Sequence, residues 1–181
     1  MEFEILFLSR GGQGAVTASR ILAETLIYEG FYAQAIPEFG PERRGSIVRT
    51  YIRVSNNPIK THEMIRNPGL VVIFSKGILH NIDPKSYITI DTDVLINSTT
   101  PERLGRRTFI VDATGIALKT GLVIAGWPVV NTAILGSLSR ITGLYRIETL
   151  KDTLRNYFKG DYLSKNIEAA RLAYENTIEV K

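Results

Sequence analysis

The sequence predicts an α/β fold: one Rossmann-like domain with an open, mostly parallel sheet and helices at the C-terminus. An apolar run, Phe3–Leu8, ends abruptly at a glycine-rich turn, and an amphipathic stretch and a second apolar run follow it, which is the order strand, helix, strand. A continuous apolar run at Leu70–Phe74 is typical of a strand covered on both faces. Two amphipathic stretches, Ile147–Phe158 and Tyr162–Ile178, predict the C-terminal helices.

The N-terminal part contains a predicted β-α-β unit. From Ala15 onward the apolar residues fall at helical spacing, Gly30 supplies a helix stop, and Phe31–Ile36 is predicted as the second strand. Such a unit predicts a parallel pair of strands joined by a right-handed crossover. The next stretch, Ser46–Ser55, alternates charged or polar residues with apolar ones, which predicts a half-exposed strand near a sheet edge.

Shorter patterns predict the rest of the chain. The remaining elements are short helices or turns at Ile78–Leu79 and Val94–Ile96, strands at Tyr87–Asp91 and Thr108–Asp112, and helices at Gly115–Leu122 and Asn131–Ile141. Asn131 is the predicted N-cap of the last of these helices. Because no linker, repeat or low-complexity segment divides the chain, residues 1–181 are predicted to form a single domain.

Composition excludes several kinds of site. The chain has no cysteine, which excludes disulfides, a cysteine-ligated iron–sulfur cluster and a cysteine nucleophile. His62 and His80 are the only histidines and have no companion at metal-ligand spacing, so no metal site is predicted. No apolar run is long enough for a transmembrane helix, and Met1–Glu4 lacks the basic region of a signal peptide. We therefore expect a cytoplasmic protein with no membrane partner.

The net charge of +4 and the isoelectric point of about 9.4 raise the question of a nucleic-acid partner. The basic residues are spread along the chain, and the densest groups are Arg43–Arg44 and the three arginines within 103–107. No helix concentrates them on one face, as a nucleic-acid-binding helix would. A solvated surface or a contact with an acidic protein partner is therefore the favoured interpretation, and no nucleic acid is expected.

A glycine loop follows the first strand, and its candidate binding residues are Gly11, Gly12, Gln13 and Gly14. Glycine tolerates positive φ and lets another group approach the backbone, and the start of the next helix attracts anions. Thr17 stands where the dinucleotide fingerprint has its third glycine, and Glu38 is only a distant candidate for the ribose-binding acid. No Gly-Lys-Ser/Thr follows, as a Walker A loop requires. A phosphate- or partner-binding loop and a purely structural turn are both compatible with this pattern.

A second loop combines proline, glycine and charge over Pro37–Gly45 (PEFGPERRG). Both strands of a parallel β-α-β unit end at the same edge of the sheet, so we expect this loop to lie near the glycine loop. Arg43 and Arg44 are the candidate ligands for a phosphate or carboxylate group. The alternative is that they form exposed ion pairs with Glu42, which contribute little to stability.

Two aspartates, Asp91 and Asp112, follow apolar runs and are candidates for acid–base groups. Such residues more often cap the turn or helix that comes next. The sequence offers no spacing that assembles a Ser-His-Asp triad, and no catalytic residue is predicted in this chain.

The run SRGGQGAVTASRILAE at Ser9–Glu24, followed by PEFGPERRG at Pro37–Gly45, closely resembles the gamma subunits or domains of 2-oxoacid:ferredoxin oxidoreductases. The second motif is most similar to the pyruvate-type branch, with the 2-oxoisovalerate enzymes nearby. The strand SIVRTYIRVS and the helix start NTAILGSL at Asn131–Leu138 match the family pattern in the same order, so that the resemblance covers essentially the whole chain.

The resemblance implies a gamma-type subunit, without redox chemistry of its own, of an enzyme that oxidatively decarboxylates pyruvate with coenzyme A while reducing ferredoxin. It implies alpha-, beta- and delta-type partner chains, with thiamine diphosphate between the alpha and beta chains and iron–sulfur clusters in the beta and delta chains. This chain has neither cysteine nor a Gly-Asp-Gly motif, so we expect it to bind no cofactor alone and to be inactive in isolation. The glycine loop, with Arg43 and Arg44, is expected to meet the phosphate portion of coenzyme A or to brace the chain that does.

Three rival functions make different predictions. A stand-alone nucleotide- or phosphate-binding module would bind nucleotide as an isolated chain. A purely structural scaffold would contact no ligand, and substitution of Arg43 would affect assembly alone. A nucleic-acid-binding protein would show affinity that falls steeply with salt. A subunit that shapes a composite site and a scaffold subunit fit the sequence best, and the sequence does not separate these two.

Overall fold

The computed structural model of the protein describes residues 2–38, 47–61 and 65–181. The strands are β1 (Glu2–Arg10), β2 (Tyr32–Glu38), β3 (Ile47–Ser55), β4 (Leu70–Ile73), β5 (Asp93–Asn97), β6 (Thr108–Val111), β7 (Val123–Ile124), β8 (Trp127–Pro128) and β9 (Ile178–Glu179). The helices are α1 (Ala15–Tyr28), α2 (Ala113–Thr120), α3 (Asn131–Thr142), α4 (Ile147–Tyr157) and α5 (Gly160–Asn176). Short 3-10 helices cover Lys76–His80 and Pro84–Ser86, and the first of them confirms the short helix predicted at Ile78–Leu79.

Seven of these strands form one open sheet in the order β2-β3-β1-β4-β5-β6-β9, and β7 and β8 form a separate hairpin. Pairing is parallel from β1 through β4 and β5 to β6, and antiparallel at β3 and β9. Strand β2 is antiparallel to β3 and therefore runs in the direction of β1. Five of the seven strands thus share one direction, which confirms the predicted α/β class with an open, mostly parallel sheet and C-terminal helices.

The β-α-β unit at the N-terminus differs from the prediction in one respect. Strands β1 and β2 run in parallel, but they are not neighbours, because β3 lies between them and is antiparallel to both. Arg10 of β1 is opposite Ile47 of β3, and Glu38 of β2 is opposite Arg49. The ends of β1 and β2 therefore do lie at the same edge of the sheet, two strand spacings apart. Strand β3 is second from the edge, as the alternation over Ser46–Ser55 predicted.

The two faces of the sheet are covered differently. Ile5 and Phe7 of β1 point to one face, where they pack with residues of all five helices. Leu6 and Leu8 point to the other face, where they pack with Ile78 of the first 3-10 helix and with loop residues. All four β1 side chains are at most 1% exposed. Full burial of a side chain of this size contributes about 1.5–3 kcal/mol, so the central strand is a main source of stability.

Helices α3 and α5 pack with their backbones in close contact. A Cβ atom added at Gly136 of α3 would collide with the backbone of Ala170 in α5, so only glycine permits this approach. A buried hydrogen bond of 2.8 Å from Thr132 Oγ1 to Asn166 Oδ1 joins the same two helices nearer the start of α3. These contacts fix the position of α3 along α5.

Two assignments in the middle of the chain are wrong. The stretch Tyr87–Asp91, predicted as a strand, lies outside the sheet after the 3-10 helix Pro84–Ser86, and its Ile90 is 86% exposed. The stretch Val94–Ile96, predicted as a short helix or turn, is instead the middle of β5 and is completely buried. An apolar run of three residues carries no periodicity that separates a buried strand from a helix turn.

Asp93, at the start of β5, binds two neighbouring arginines. Arg106 donates to both carboxylate oxygens at 2.9 and 2.8 Å, and Arg107 Nη2 donates to Oδ2 at 2.6 Å. Burial of the carboxyl group favours its neutral form, but the hydrogen bonds and charges of the two guanidinium groups outweigh this and lower its pKa to about 2. The densest group of basic residues is therefore largely occupied by an internal contact, which weakens the case for a nucleic-acid surface.

We expect the contribution of this cluster to stability to depend on pH. The pKa of Asp93 is lowered from 3.8 to about 2 on folding, so the stabilisation is complete above the unfolded value and is lost as the pH falls through the folded value. Asp93→Asn should lower the free energy of unfolding at pH 7 by on the order of 1 kcal/mol, since the arginines are half exposed and screened by solvent.

Urea denaturation at a series of pH values measures this effect. The difference between wild type and Asp93→Asn should shrink between about pH 5 and pH 2. The exposed ion pair of Asp152 with Arg155 provides the control, because Asp152→Asn should change stability by less than about 0.5 kcal/mol. A constant difference across this range would contradict the assignment.

Candidate functional site

The carboxyl ends of the parallel strands and the starts of three helices meet at one edge of the sheet. Strand β1 leads to α1 and β2 on one side, whereas β4, beside it, leads to β5 and β6 on the other. Open α/β sheets bind ligands outside the carboxyl ends of their strands at such a switch in direction. The glycine loop follows β1 and therefore lies at this switch point.

The loop is held in a tight turn by its own residues. Gln13 N donates to Arg10 O at 3.1 Å, and Arg10 N donates to Gln13 Oε1 at 2.7 Å. The side-chain oxygen of Gln13 is therefore committed to closing the turn. Gly11 and Gly12 are exposed at its tip, so their backbone is open to an approaching group.

Two glycines of the loop have positive φ, and the space around their Cβ positions differs. Gly12 has φ 94° and open space around the position of a Cβ atom. Gly14 has φ 80°, and a Cβ atom there would lie 3.0 Å from Asn131 Nδ2. Positive φ costs a residue with a side chain about 1–2 kcal/mol. Gly14 therefore serves both the turn and a close contact with α3.

Helix α1 begins at this loop without a capping side chain. Its N-cap is Gly14, which has no side chain to cap the helix, and the first turn contains no acidic residue. The first backbone N–H groups of a helix have no partner within the helix, and they carry a partial positive charge. This end of α1 is consequently suited to a phosphate or carboxylate group.

Asn131 does not have the role predicted for it. The N-cap of α3 is Val130, and Asn131 is the first helical residue, with its Oδ1 accepting from the next backbone amide, Thr132 N, at 2.8 Å. Its side chain is 4% exposed and packs against Gly14. The sequence pattern located the helix start within one residue but gave no information about this contact between α3 and the glycine loop.

Arg10 links the end of β1 to the segment that follows β4. Its Nη2 donates to Gly77 O at 3.2 Å and to Asn81 Oδ1 at 3.1 Å, so the side chain spans from the end of β1 to the 3-10 helix after β4. No role for Arg10 is predicted from the sequence. Its charge was visible in the motif, but its partners are 67 and 71 residues away in the chain.

Polar residues at the ends of β5 and β6 have structural roles. Asn97 Nδ2 donates to Phe74 O and to Thr114 Oγ1, at 2.9 Å each, and ties the ends of two strands to α2. Asp112 Oδ1 accepts from Gly115 N at 2.7 Å and caps α2. The capping alternative is therefore confirmed for Asp112, whereas Asp91 lies in the exposed turn before β5.

Arg43 and Arg44, the predicted ligands of the second loop, lie outside the described residues. The described residues on either side of this segment are Glu38 and Ile47. Ile47 pairs with Arg10, the residue that precedes the glycine loop. The two ends of the charged loop are thus at the same edge of the sheet as the glycine loop, as predicted from the sequence.

The position of Glu38 argues against dinucleotide binding. In a Rossmann nucleotide site the ribose-binding acid stands at the end of the strand next to β1. Here β3 intervenes, so Glu38 is about 10 Å away, twice the strand spacing. Glu38 also accepts a hydrogen bond of 3.4 Å from Tyr51 on β3.

Metal and membrane sites find no support in the part of the chain that the structure describes. No group of three or more His, Asp or Glu side chains there is arranged to hold a metal ion. His80 is exposed, and His62 lies outside the described residues. None of the described helices combines the length and apolar character that crossing a bilayer requires.

Comparison with known proteins shows which family this chain is similar to. The family model described as pyruvate ferredoxin/flavodoxin oxidoreductase matches residues 4–176. The chain is 40% identical to the pyruvate/ketoisovalerate oxidoreductases common subunit gamma of Pyrococcus furiosus, over 96% of both chains. It is 41% identical to pyruvate synthase subunit PorC of Methanothermobacter thermautotrophicus, over 95% of this chain and 94% of that one. The crystal structure of pyruvate oxidoreductase subunit PORC from Thermotoga maritima superimposes with a TM-score of 0.84, at 29% identity and 99% coverage of both chains.

Substitution of the loop glycines tests the contact with α3. Gly12→Ala should lower the free energy of unfolding by about 1–2 kcal/mol, the cost of positive φ alone. Gly14→Ala should cost more, because its Cβ must also displace the Asn131 amide. Denaturant unfolding measures both values, with Gly12→Ala as the matched control.

A double-mutant cycle identifies the source of the extra cost. Asn131→Ala should recover part of the stability lost in Gly14→Ala and none of that lost in Gly12→Ala. Equal costs at the two glycines, with no coupling to Asn131, would show that the close contact carries no energetic weight.

Proposed function

We propose a binding and assembly role for this chain, which belongs to the pyruvate ferredoxin/flavodoxin oxidoreductase family and is a gamma-type subunit of a multisubunit pyruvate:ferredoxin oxidoreductase. The observation that carries the conclusion is similarity of at least 40% identity over more than nine-tenths of both chains. In the assembled enzyme, pyruvate and coenzyme A yield acetyl-CoA and carbon dioxide while ferredoxin is reduced. This chain supplies binding groups and shape to that reaction.

The redox and carbanion chemistry is assigned to other chains. An iron–sulfur cluster needs thiolate ligands in nearly every known site, and this sequence contains no cysteine. Thiamine diphosphate, bound between alpha- and beta-type chains, supplies the carbanion chemistry when present. The partners proposed for this chain are accordingly the alpha-, beta- and delta-type subunits, with ferredoxin as an indirect partner.

The ligand proposed for the glycine loop is the phosphate portion of coenzyme A. Gly11, Gly12 and Gly14 leave the backbone accessible, and the start of α1 offers N–H groups that have no partner within the helix, with no acidic residue in the first turn. Gln13 holds the turn in this shape through Arg10 N. Arg43 and Arg44 are proposed to add positive charge from the neighbouring loop.

The exposed hairpin β7–β8 is the proposed contact for another chain of the enzyme. Trp127 is 77% exposed and Ile124 56%, which is uncommon for side chains of this size on a surface without a partner. Ala125 at the tip has φ 49°, a strained conformation for a residue other than glycine. The hairpin leads directly into α3, whose first residue contacts the glycine loop, so a chain docked there would border the ligand site.

The choice of 2-oxoacid is proposed to lie in the other chains. One relative is named as a common subunit of pyruvate and ketoisovalerate oxidoreductases, so in that organism one gamma chain serves two substrates. The glycine loop and the start of α1 offer backbone N–H groups, which recognise an anion and do not distinguish a methyl from an isopropyl group. Exchange of gamma subunits between such enzymes should therefore leave the 2-oxoacid preference unchanged.

The coenzyme A half of the proposal is tested by kinetics of the assembled enzyme. Arg43→Ala combined with Arg44→Ala should raise KM for coenzyme A about tenfold or more, the effect of losing hydrogen bonds to a charged group. KM for pyruvate should stay the same. Pyruvate-dependent reduction of a viologen dye under anaerobic conditions, at varied coenzyme A, measures both.

Arg155→Ala, which removes an exposed arginine from α4, is the control for charge and should have no effect. An unchanged KM for coenzyme A together with weaker assembly would favour the purely structural scaffold. A stand-alone nucleotide-binding module would instead bind nucleotide without any partner chain.

The assembly half is tested by Trp127→Ser. Because the indole is mostly exposed, the substitution should change the stability of the isolated chain by less than about 0.5 kcal/mol. Co-purification of the other subunits on the tagged variant should fall clearly below wild type. Ile90→Ser removes an equally exposed apolar side chain from another surface and should retain full co-purification. Equal recovery with all three proteins would exclude the hairpin as a docking element.

A further inference from the structure

Strand β2 forms one edge of the seven-stranded sheet and pairs on one side only, with β3. The strand at the opposite edge, β9, is only two residues long, and short length protects an edge from pairing with other chains. Strand β2 has seven residues, and its stretch Tyr32–Pro37 (YAQAIP) contains no charged side chain. Edge strands of this length usually carry a charge or a bulge that prevents such pairing. The uncharged edge of β2 is therefore a surface on which another strand can pair.

The backbone groups at the open edge of β2 follow from the hydrogen bonds of the neighbouring strands. Glu4 O and Leu8 O of β1 accept from residues of the β4 side, so the odd-numbered residues of β1 face β3. Alternation through the paired registers then directs the even-numbered residues of β2 to β3, and Ala33, Ala35 and Pro37 outward. Pro37 thus occupies an outward position, where an edge strand tolerates proline. The open edge offers the N–H groups of Ala33 and Ala35 and the C=O groups of all three residues.

We propose that β2 pairs antiparallel with β2 of a second copy of this chain, with the two-fold axis at Gln34. In this register Ala33 of each copy is opposite Ala35 of the other, and each such pair exchanges two N–H···O=C bonds. Tyr32 is then opposite Ile36, and a pair of an aromatic and a β-branched side chain stabilises antiparallel strands. The edge is self-complementary, because each copy supplies the donors that the acceptors of the other copy need.

The side chains near the axis fit a second copy of the same strand. Glu38, the only charged residue of β2, is opposite Gly30 of the other copy in this register, so no like charges meet. Gln34 Oε1 is buried and has no hydrogen-bond partner among the described residues. The two Gln34 residues form a pair with Cα atoms about 4.5 Å apart, so the amide nitrogen of each copy can reach the oxygen of the other. Tyr32, which is 48% exposed, becomes covered.

The absence of cysteine from the chain allows a direct test of this register. Gln34→Cys places one thiol of each copy beside the axis, within the distance that a disulfide spans. Mild oxidation of the 181-residue variant should give a covalent dimer on a denaturing gel without reductant. Ile36→Cys, on the same face of the same strand, is the matched control. Its two thiols would be about 14 Å apart along the strand and should cross-link at least tenfold more slowly.

Self-association is measured by sedimentation velocity over a range of concentrations, and the wild-type chain should form a dimer. Ala35→Pro removes an outward N–H of each copy and should raise the dissociation constant of the dimer at least tenfold. Its unfolding temperature should stay close to that of wild type, because this N–H takes no part in the pairing with β3. Gln34→Glu, which places two carboxylates at the axis, should weaken the dimer as well.

Three results would overturn the inference. One is a wild-type chain that stays monomeric, as expected if the edge instead receives a strand of another subunit. The second is a dimer that Ala35→Pro leaves unchanged, since the copies would then associate through another surface. The third is equal cross-linking of Gln34→Cys and Ile36→Cys, which would exclude the register.

Discussion

The structure depends on the position of β1 between two different partners. Along its whole length β1 pairs antiparallel with β3, and over Ile5–Leu8 it pairs parallel with β4. Both of its faces are buried, so its side chains belong to both cores at once. Because the chain must leave this buried strand at the junction of the antiparallel and parallel halves, the turn that follows has to be tight, and the sequence there is rich in glycine. The glycine loop therefore lies at the junction of the two halves of the sheet.

Electrostatic character follows from the same arrangement. The helices pack on one face of the sheet, and three of them begin at the carboxyl edge. Asp112 neutralises the start of α2, whereas α1 and α3 are left without an acidic neighbour in their first turns. Elsewhere several charged side chains form ion pairs, as with Asp93 and its two arginines or Glu29 and Arg146. The positive end of the sheet edge is thus a local property of helix placement, and the net charge of the chain does not determine it.

Much of the fold could be predicted from the sequence, because long periodic stretches determine their own structure. The glycine turn, α1, the strand after it and the C-terminal helices follow from pattern alone. Insertion of β3 between β1 and β2 could not be predicted, since pairing partners leave no trace in periodicity. Prediction from short apolar runs was wrong because a run such as Val94–Ile96 is too short to show a periodicity. At the site, the residues of the glycine loop could be identified from the sequence. The contact of Asn131 with Gly14 could not, because it depends on how α3 packs, and the two residues are far apart in the chain.

The close packing at Gly136 has a consequence for the glycine loop. Gly136 is five residues, about 7.5 Å along the helix axis, from Asn131. At that point the backbone of α3 contacts the backbone of Ala170 in α5, so this contact sets the distance between the two helices. Any larger residue at position 136 would push α3 away from α5 and move the start of α3, at Asn131, away from the glycine loop. A buried position away from the glycine loop therefore determines how closely the start of α3 approaches that loop.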